Sequence, residues 1–385
     1  MEYVLHLTDN CNLNCQYCYE NKQDKELSFQ NITQLIDFEI KQKNKTAVIQ
    51  FYGGEPLLKK QLIRDSINYI KMKNTKTKFY FGITTNGTLI DNEWITYMKK
   101  NNFVSIGYSI DGKSETQNKN RRTKNGEETF TIVEENAKKI LENFNIVVAM
   151  MVVTKNNIKN LSENINYLIE LGFRSINMQF NYLDDWQDQD LSEIKKQYKQ
   201  VADIYAKAIQ NEVNIDIPII DEKIKTYIQP KYNCNQDCQL GIKTIHIGTD
   251  GNFYPCVQFV NHKEFRIGNC QQGINVKARK KVIENAKQEN ELCKSCLINK
   301  RCKHTCACRN YRITNAINEV SPLICETEKI FIDIADQMAE ELYHQNSNLF
   351  MQKQYNQNYQ LIKQLINRKG MKKNGTKKCD IGKTS

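Results

Sequence analysis

Residues 9–20 read DNCNLNCQYCYE and set Cys11, Cys15 and Cys18 in the spacing C-x3-C-x2-C. Three thiolates match three irons of a [4Fe–4S] cube and leave the fourth iron open. An open coordination position is what separates a catalytic metal site from a closed structural one. Zinc is the competing reading, with His6 just upstream as a fourth ligand. The loop leaves the apolar run Tyr3–Leu7, so it sits at the end of a first β-strand.

Further β-type runs lie at Ala47–Tyr52, Phe79–Thr84, Phe103–Ile110, Ile146–Val153 and Ser175–Phe180. Helical periodicity lies between them at Phe29–Lys41, Gln61–Met72, Trp94–Asn101, Thr131–Asn143 and Leu161–Leu171, and a sixth helix follows at about Leu191–Gln210. Ser28 fits the N-cap of the first. Alternating strands and helices imply a parallel sheet with right-handed crossovers. Six such units are fewer than a closed eight-unit barrel needs, so the α/β fold expected is an open, partial (β/α)6 TIM-like barrel over residues 1–212. Chemistry in such folds sits in the loops after the strands. After the cysteine loop these read GGEP, TNGT and DGK.

Beyond about residue 212 the alternation stops and cysteines gather. Residues 213–345 form a second, metal-organised region, closed by a helix at about Pro322–Tyr343. Residues 346–385 form a basic tail, expected to be flexible, with nine Lys/Arg against one Asp. That tail carries +8 of the net +11, so the body is not basic enough to argue for a nucleic-acid partner. No apolar run is long enough for a membrane span and the N-terminus has no secretory signal, which points to the cytoplasm. Disulfides do not persist there, so fourteen cysteines suggest metal.

The loop C-x3-C-x-aromatic-C, with Tyr17 as the aromatic, resembles the signature of the radical SAM superfamily. That resemblance implies S-adenosylmethionine (SAM) on the open iron and its cleavage to a 5′-deoxyadenosyl radical. It also implies roles at the other β-ends. Gly53, Gly54 and Glu55 look like the motif near the methionine amino group, with Thr85 and Asn86 beside them. Ser109 and Asp111 look like the ribose motif, and Arg121 like the arginine that holds the methionine carboxylate.

The remaining cysteines resemble the SPASM extension of certain radical SAM enzymes, implying two auxiliary [4Fe–4S] clusters and three in all. By that resemblance Cys234, Cys238, Cys256 and Cys306 hold one, and Cys293, Cys296, Cys302 and Cys325 the other. Cys308 competes with Cys306. Cys270 and Cys379 have no place in the pattern and read as free thiols, and His246 reads as packed.

SPASM enzymes typically modify peptides. The expected function is a thioether or carbon–carbon crosslink in a small ribosomal precursor peptide, a cysteine-rich one among the candidates. Partners implied are that peptide, a separate leader-binding protein, and an electron donor such as flavodoxin or ferredoxin. Alternatives are an anaerobic sulfatase-maturase-like generator of formylglycine, a SPASM dehydrogenase of a small molecule, and a zinc-stabilised nucleic-acid-binding protein. The sulfatase branch places an aspartate base directly after the cysteine corresponding to Cys256, where Val257 and Gln258 stand here. Asp237 and Asp250 are nearby acids without a motif, so the general base is unassigned.

Overall fold

The computed structural model describes residues 1–20, 22–229, 231–233 and 238–355. Its first half is built of β/α units. These are β1 (Glu2–His6), α1 (Phe29–Lys41), β2 (Thr46–Tyr52), α2 (Lys60–Met72), β3 (Lys78–Thr85), α3 (Asn92–Lys100), β4 (Phe103–Ser109), α4 (Ser114–Asn120), α5 (Phe130–Asn143), β5 (Val147–Val153), α6 (Leu161–Leu171), β6 (Ser175–Phe180) and α7 (Asp190–Gln210). Strands β1 to β6 lie side by side in chain order and pair parallel, and β6 stays an edge, so the (β/α)6 unit is open.

Local chemistry explains the boundaries. The Ser28 hydroxyl accepts from Asn31 N at 3.2 Å and starts α1, and Asp91 accepts from Trp94 N at 2.7 Å and starts α3. Strand β5 alternates buried Val147, Ala149, Met151 and Val153 with half-buried residues. Phe51, Phe81 and Phe103, on three adjacent strands, pack with ring centroids 5.8–6.1 Å apart.

The expected end of the alternation at residue 212 is not the end of the sheet. Helix α8 (Pro218–Ile228) follows α7, and β7 (Thr244–Ile247) pairs parallel with β1. Strands β8 (Asn252–Tyr254), β9 (Gly268–Asn269) and β10 (Gly273–Ile274) then extend the same sheet antiparallel, giving the order β10-β9-β8-β7-β1-β2-β3-β4-β5-β6. The cysteine-rich region is thus hydrogen-bonded onto the first barrel strand. Helices α9 (Val276–Ala286), α10 (Glu291–Lys294), α11 (Ala307–Thr314), α12 (Pro322–His344) and α13 (Asn348–Gln354) complete the described chain. The tail expected from residue 346 begins with α13, whose Leu349, Phe350 and Lys353 are buried. Lys353 pairs with Asp221 at 2.6 Å and Asp216 at 3.1 Å, so this lysine is structural. Among the described residues no helix is long and apolar enough to cross a membrane.

A buried ion pair fastens the second region. Lys223 on α8 meets Glu328 on α12 at 2.5 Å, and both are almost wholly buried. Glu328 also accepts from Lys303 N at 3.0 Å and faces Arg309 at 3.8 Å. Burial pushes its acidity down, but Lys223 and Arg309 outweigh that and hold its carboxyl below the usual range. We predict that Glu328→Gln, which strands the Lys223 charge, costs about 3–5 kcal/mol, whereas the paired change Lys223→Met with Glu328→Leu costs far less. Denaturant midpoints of the three proteins check this, and equal losses in single and double variants would contradict it.

Candidate active site

The loops after β2, β3 and β4 converge on the cysteine loop and hold it chiefly by its backbone. Gly54 N donates to Thr8 O at 2.8 Å and Glu55 N to Asn10 O at 3.0 Å. Gly53 has φ +123°, and a Cβ there would lie 2.5 Å from Thr8 O; one on Gly54 would lie 2.2 Å from Asn10 O. The close approach these glycines permit is therefore to the cysteine loop itself.

Glu55 is fully buried and accepts from Thr85 Oγ1 at 2.8 Å, Asn86 N at 2.7 Å and Leu57 N at 3.0 Å. Burial raises its carboxyl to about 7 against the pull of those bonds. Both its oxygens are engaged, so it clasps the β2 and β3 loops together. Asn86 then reaches Asn12 Oδ1 at 2.9 Å and lies 3.7 Å from Cys11 Sγ. Asn12 in turn donates to Thr88 Oγ1 at 2.8 Å.

The β4 end works similarly. Asp111 is fully buried and accepts from Tyr17 OH at 2.5 Å, Arg121 Nη2 at 3.0 Å, Val152 N at 3.1 Å and Asn120 Nδ2 at 3.2 Å. The ring of Tyr17 lies 5.3 Å from the Arg121 guanidinium. Asp111 thus ties the aromatic of the cysteine motif to the arginine, and both its oxygens accept from protein donors. Ser109 ends β4 with a hydroxyl that bonds to none of the described residues. Arg121 Nε is buried without a partner among them.

Cys11 is buried, Cys15 half-buried and Cys18 exposed, and all twelve cysteines among the described residues are free. Burial pushes the Cys11 thiol up to about 11, and Glu55, Cys15 and Cys18 add to this. No three His, Cys, Asp or Glu side chains among the described residues converge as a single-ion site. His6 faces Tyr52 and His246 and stands 3.8 Å from Glu20, and neither ring nitrogen has a hydrogen-bond partner among the described residues. The residues fit the expected group: three thiols on one braced loop for the cluster, and an orphaned arginine N–H with a free serine hydroxyl for an anionic, hydroxyl-bearing ligand.

In the second region, Cys238, Cys256, Cys306 and Cys308 come together. Cys306 and Cys308 sulfurs are 3.6 Å apart, the Cys308 thiol bonds to Cys256, and Cys238 feels Cys306. Both candidates for the closing ligand are thus at hand. Cys234, Asp237 and Cys379 lie outside the described residues. Cys293, Cys296 and Cys325 form a second group: burial, with the nearby Cys325 and Cys296 adding to it, pushes the Cys293 thiol up. Cys302 instead sits buried beside Glu328, Lys223 and Arg309. Cys270 is buried near Asp250, and Asp250 is committed to Tyr254 at 2.9 Å and Arg266 at 3.0 Å.

A cavity of about 180 Å³ lies between the two regions, lined by Tyr19, Glu20, Val257, Gln258, Val260, Asn261, His262 and Arg312. Tyr19 and Tyr52 share a hydrogen bond of 2.8 Å beside it. Glu20 Oε1 has no hydrogen-bond partner among the described residues, and burial raises its carboxyl to about 7, with Asp9 adding and Arg312 opposing. Glu20, His6 and Arg312 carried no signal as a group, because the sheet alone brings residues of β1, its loop and α11 together. The one available hint was that Tyr19 and Glu20 directly follow the last cysteine of the motif.

We predict that Gly54→Ala displaces the cysteine loop, since the clashing atom is a backbone carbonyl. After anaerobic reconstitution its iron content should fall by about four per chain relative to the parent. Full iron retention with unchanged SAM affinity would contradict the bracing role.

The sequence matches the Radical SAM superfamily over residues 5–168. It is 27% identical over 360 residues to a cysteine-type anaerobic sulfatase-maturating enzyme of Clostridium perfringens, covering 85% of this chain and 94% of that one. The structure of native anSMEcpe with bound AdoMet and Cp18Cys peptide matches with a TM-score of 0.77 at 23% identity, over 89% of this chain and 99% of that chain. Streptococcus suis SuiB bound to precursor peptide SuiA matches with a TM-score of 0.59 at 17% identity, over 84% of this chain and 75% of SuiB. These two likenesses are of fold. A domain match that spans the braced cysteine loop, and a relative aligned over most of both chains, give this protein a radical SAM domain over residues 5–168 and a likeness in sequence to the anaerobic sulfatase-maturating enzymes.

Proposed function

We propose that the protein modifies a peptide, forming a thioether or carbon–carbon crosslink in a small ribosomal precursor. The observation that carries this reading is the cavity between the cysteine loop and the Cys256 loop. At about 180 Å³ it is smaller than the roughly 300–1,000 Å³ typical of whole small-molecule ligands, and it suits one side chain of a longer substrate. SuiB, matched in fold, is a protein whose structure holds a precursor peptide.

Cys11, Cys15 and Cys18 would hold the SAM-binding cluster, with Arg121 and Ser109 turned to the cofactor. Cluster and SAM together would supply 5′-deoxyadenosyl radical chemistry for hydrogen-atom abstraction. The chain's own contribution is placement. Asp111 fixes Tyr17 and Arg121, the Tyr19–Tyr52 pair walls one side of the cavity, and Glu20 with Arg312 offers an acceptor and a donor to a polar substrate group. Auxiliary clusters on Cys234, Cys238, Cys256 and Cys306 or Cys308, and on Cys293, Cys296, Cys302 and Cys325, would bring the total to three. A leader-binding protein, a flavodoxin or ferredoxin donor and a cytoplasmic setting complete the proposal.

Formylglycine generation is the second reading. The relative that aligns nearly end to end favours it, and so does the Glu20 carboxylate, which enters the cavity that Val257 and Gln258 leave without an acid.

Mass spectrometry of a precursor peptide encoded beside the gene, incubated anaerobically with protein, SAM and reductant, separates the readings. We predict loss of a pair of hydrogens with an internal bridge. The variant Cys296→Ala should stop that product while still releasing 5′-deoxyadenosine. A hydrazide-reactive peptide aldehyde would instead establish the second reading. Full crosslinking by a folded, cluster-depleted Cys296→Ala would remove the second auxiliary site from the reaction.

A further inference from the structure

The body's positive charge is concentrated in one stretch. Residues 276–303 hold nine Lys/Arg against three Glu, a net +6, while the tail from 346 holds +8 of the total +11, so the rest of the chain is net acidic. The stretch comprises α9, α10 and the loop through Lys300. Lys280 is paired with Glu284 and Lys294 with Glu291. Lys277, Lys281, Lys287 and Lys300 are exposed and make no ion pair among the described residues. Charge kept unneutralised on a surface is what steers an oppositely charged partner.

Two exposed leucines stand in the same stretch. Leu297 is 102% exposed and Leu292 83%, the two highest values among the large hydrophobic residues described. They flank Cys293 and the exposed Cys296. The loop that presents them is fixed: Asn290 accepts from Leu292 N at 3.0 Å, Asn299 Nδ2 donates to Cys293 O at 2.7 Å, and Cys296 N to Cys293 O at 3.1 Å. Exposed apolar side chains among unpaired charges are the composition of a transient protein interface. Two leucines left in water next in sequence to Cys293 and Cys296 cost solubility and gain nothing within the monomer.

We propose that this face docks an acidic one-electron carrier protein, of the flavodoxin or ferredoxin class, over the thiols of Cys293, Cys296 and Cys325. The inference rests on the reading that these thiols hold an auxiliary cluster, since that cluster is what a carrier would serve. A peptide leader is the weaker occupant, because peptides are gripped along sheet edges or in grooves. Here the presenting elements are a helix and a four-residue turn of helix.

The test uses the reconstituted holoenzyme and oxidised flavodoxin, with affinity measured by calorimetry across ionic strength. The variant Lys281→Glu/Lys287→Glu/Lys300→Glu should bind at least about tenfold more weakly than the parent at low salt and lose most of the salt dependence. Leu292→Ser/Leu297→Ser should weaken binding with the salt dependence kept. Iron content and dithionite-driven SAM cleavage should be unchanged in both; loss of that cleavage in the parent would count against the enzyme reading instead. Lys41→Glu/Lys100→Glu/Lys207→Glu, an equal charge change on the barrel helices, should leave affinity near the parent's. The proposal falls if the parent shows no saturable binding of flavodoxin or ferredoxin, or if the barrel variant loses as much as the α9–α10 variant. It falls equally if a polyglutamate peptide binds as tightly as the carrier.

Discussion

The Asp111 carboxylate is the interaction on which the site depends. It is buried, it carries the countercharge of the buried Arg121, and it accepts from the cysteine-loop Tyr17 and from Val152 N of β5. A single group therefore fixes three things at once: the last turn of the thiol loop, the buried Arg121 side chain, and the separation of β4 from β5. Removing it would leave Arg121 charged, dry and unpaired, which is among the costlier defects a protein can carry. Glu55 does the matching work on the other side, joining the β2 and β3 loops through Thr85, Asn86 and Leu57. Between these two carboxylates the cysteine loop has little freedom, as a site that must accept a cluster in one orientation requires.

The second region is an extension of this arrangement. Strand β7 adds to β1 on the edge away from β2, and Thr249, just past β7, donates to the Asp9 carboxylate at 3.1 and 3.2 Å. The cavity with Glu20 on one wall and Val257 and Gln258 on the other exists because of that single strand pairing. The cavity and the thiols of the second region are thereby held in register with the first cysteine loop.

The six β/α units were legible in the sequence to within one or two residues, because strong periodicity is a local property. Helix α4 was not, since SETQNKN has no apolar stripe. The continuation of the sheet through β7 was hidden because TIHI (Thr244–Ile247) is four residues long and its partner lies some 240 positions away; chain-local patterns do not name partners. The motif residues lie in the loops after β2, β3 and β4, and the contacts they make within the protein are not legible in the motifs: the glycines admit the backbone of Thr8 and Asn10, and Glu55 and Asp111 accept from protein donors. Glu20 and Arg312 carry no sequence signal, and His6 reads only as a candidate zinc ligand, because only the tertiary fold brings them near one another. Cys302 was assigned by pattern alone, and its burial beside Glu328 depends on the pairing of α8 with α12.

The central claim is that the three-cysteine loop leaves one iron of its cube open to SAM. The direct measurement is the electron paramagnetic resonance spectrum of the anaerobically reconstituted, reduced protein, recorded with and without SAM, beside its iron content. The account predicts about twelve irons per chain and a set of overlapping cluster signals of which one alone shifts on adding SAM, and that one is absent from Cys11→Ala/Cys15→Ala/Cys18→Ala. A spectrum indifferent to SAM, or protein that takes up zinc in place of iron, would contradict it.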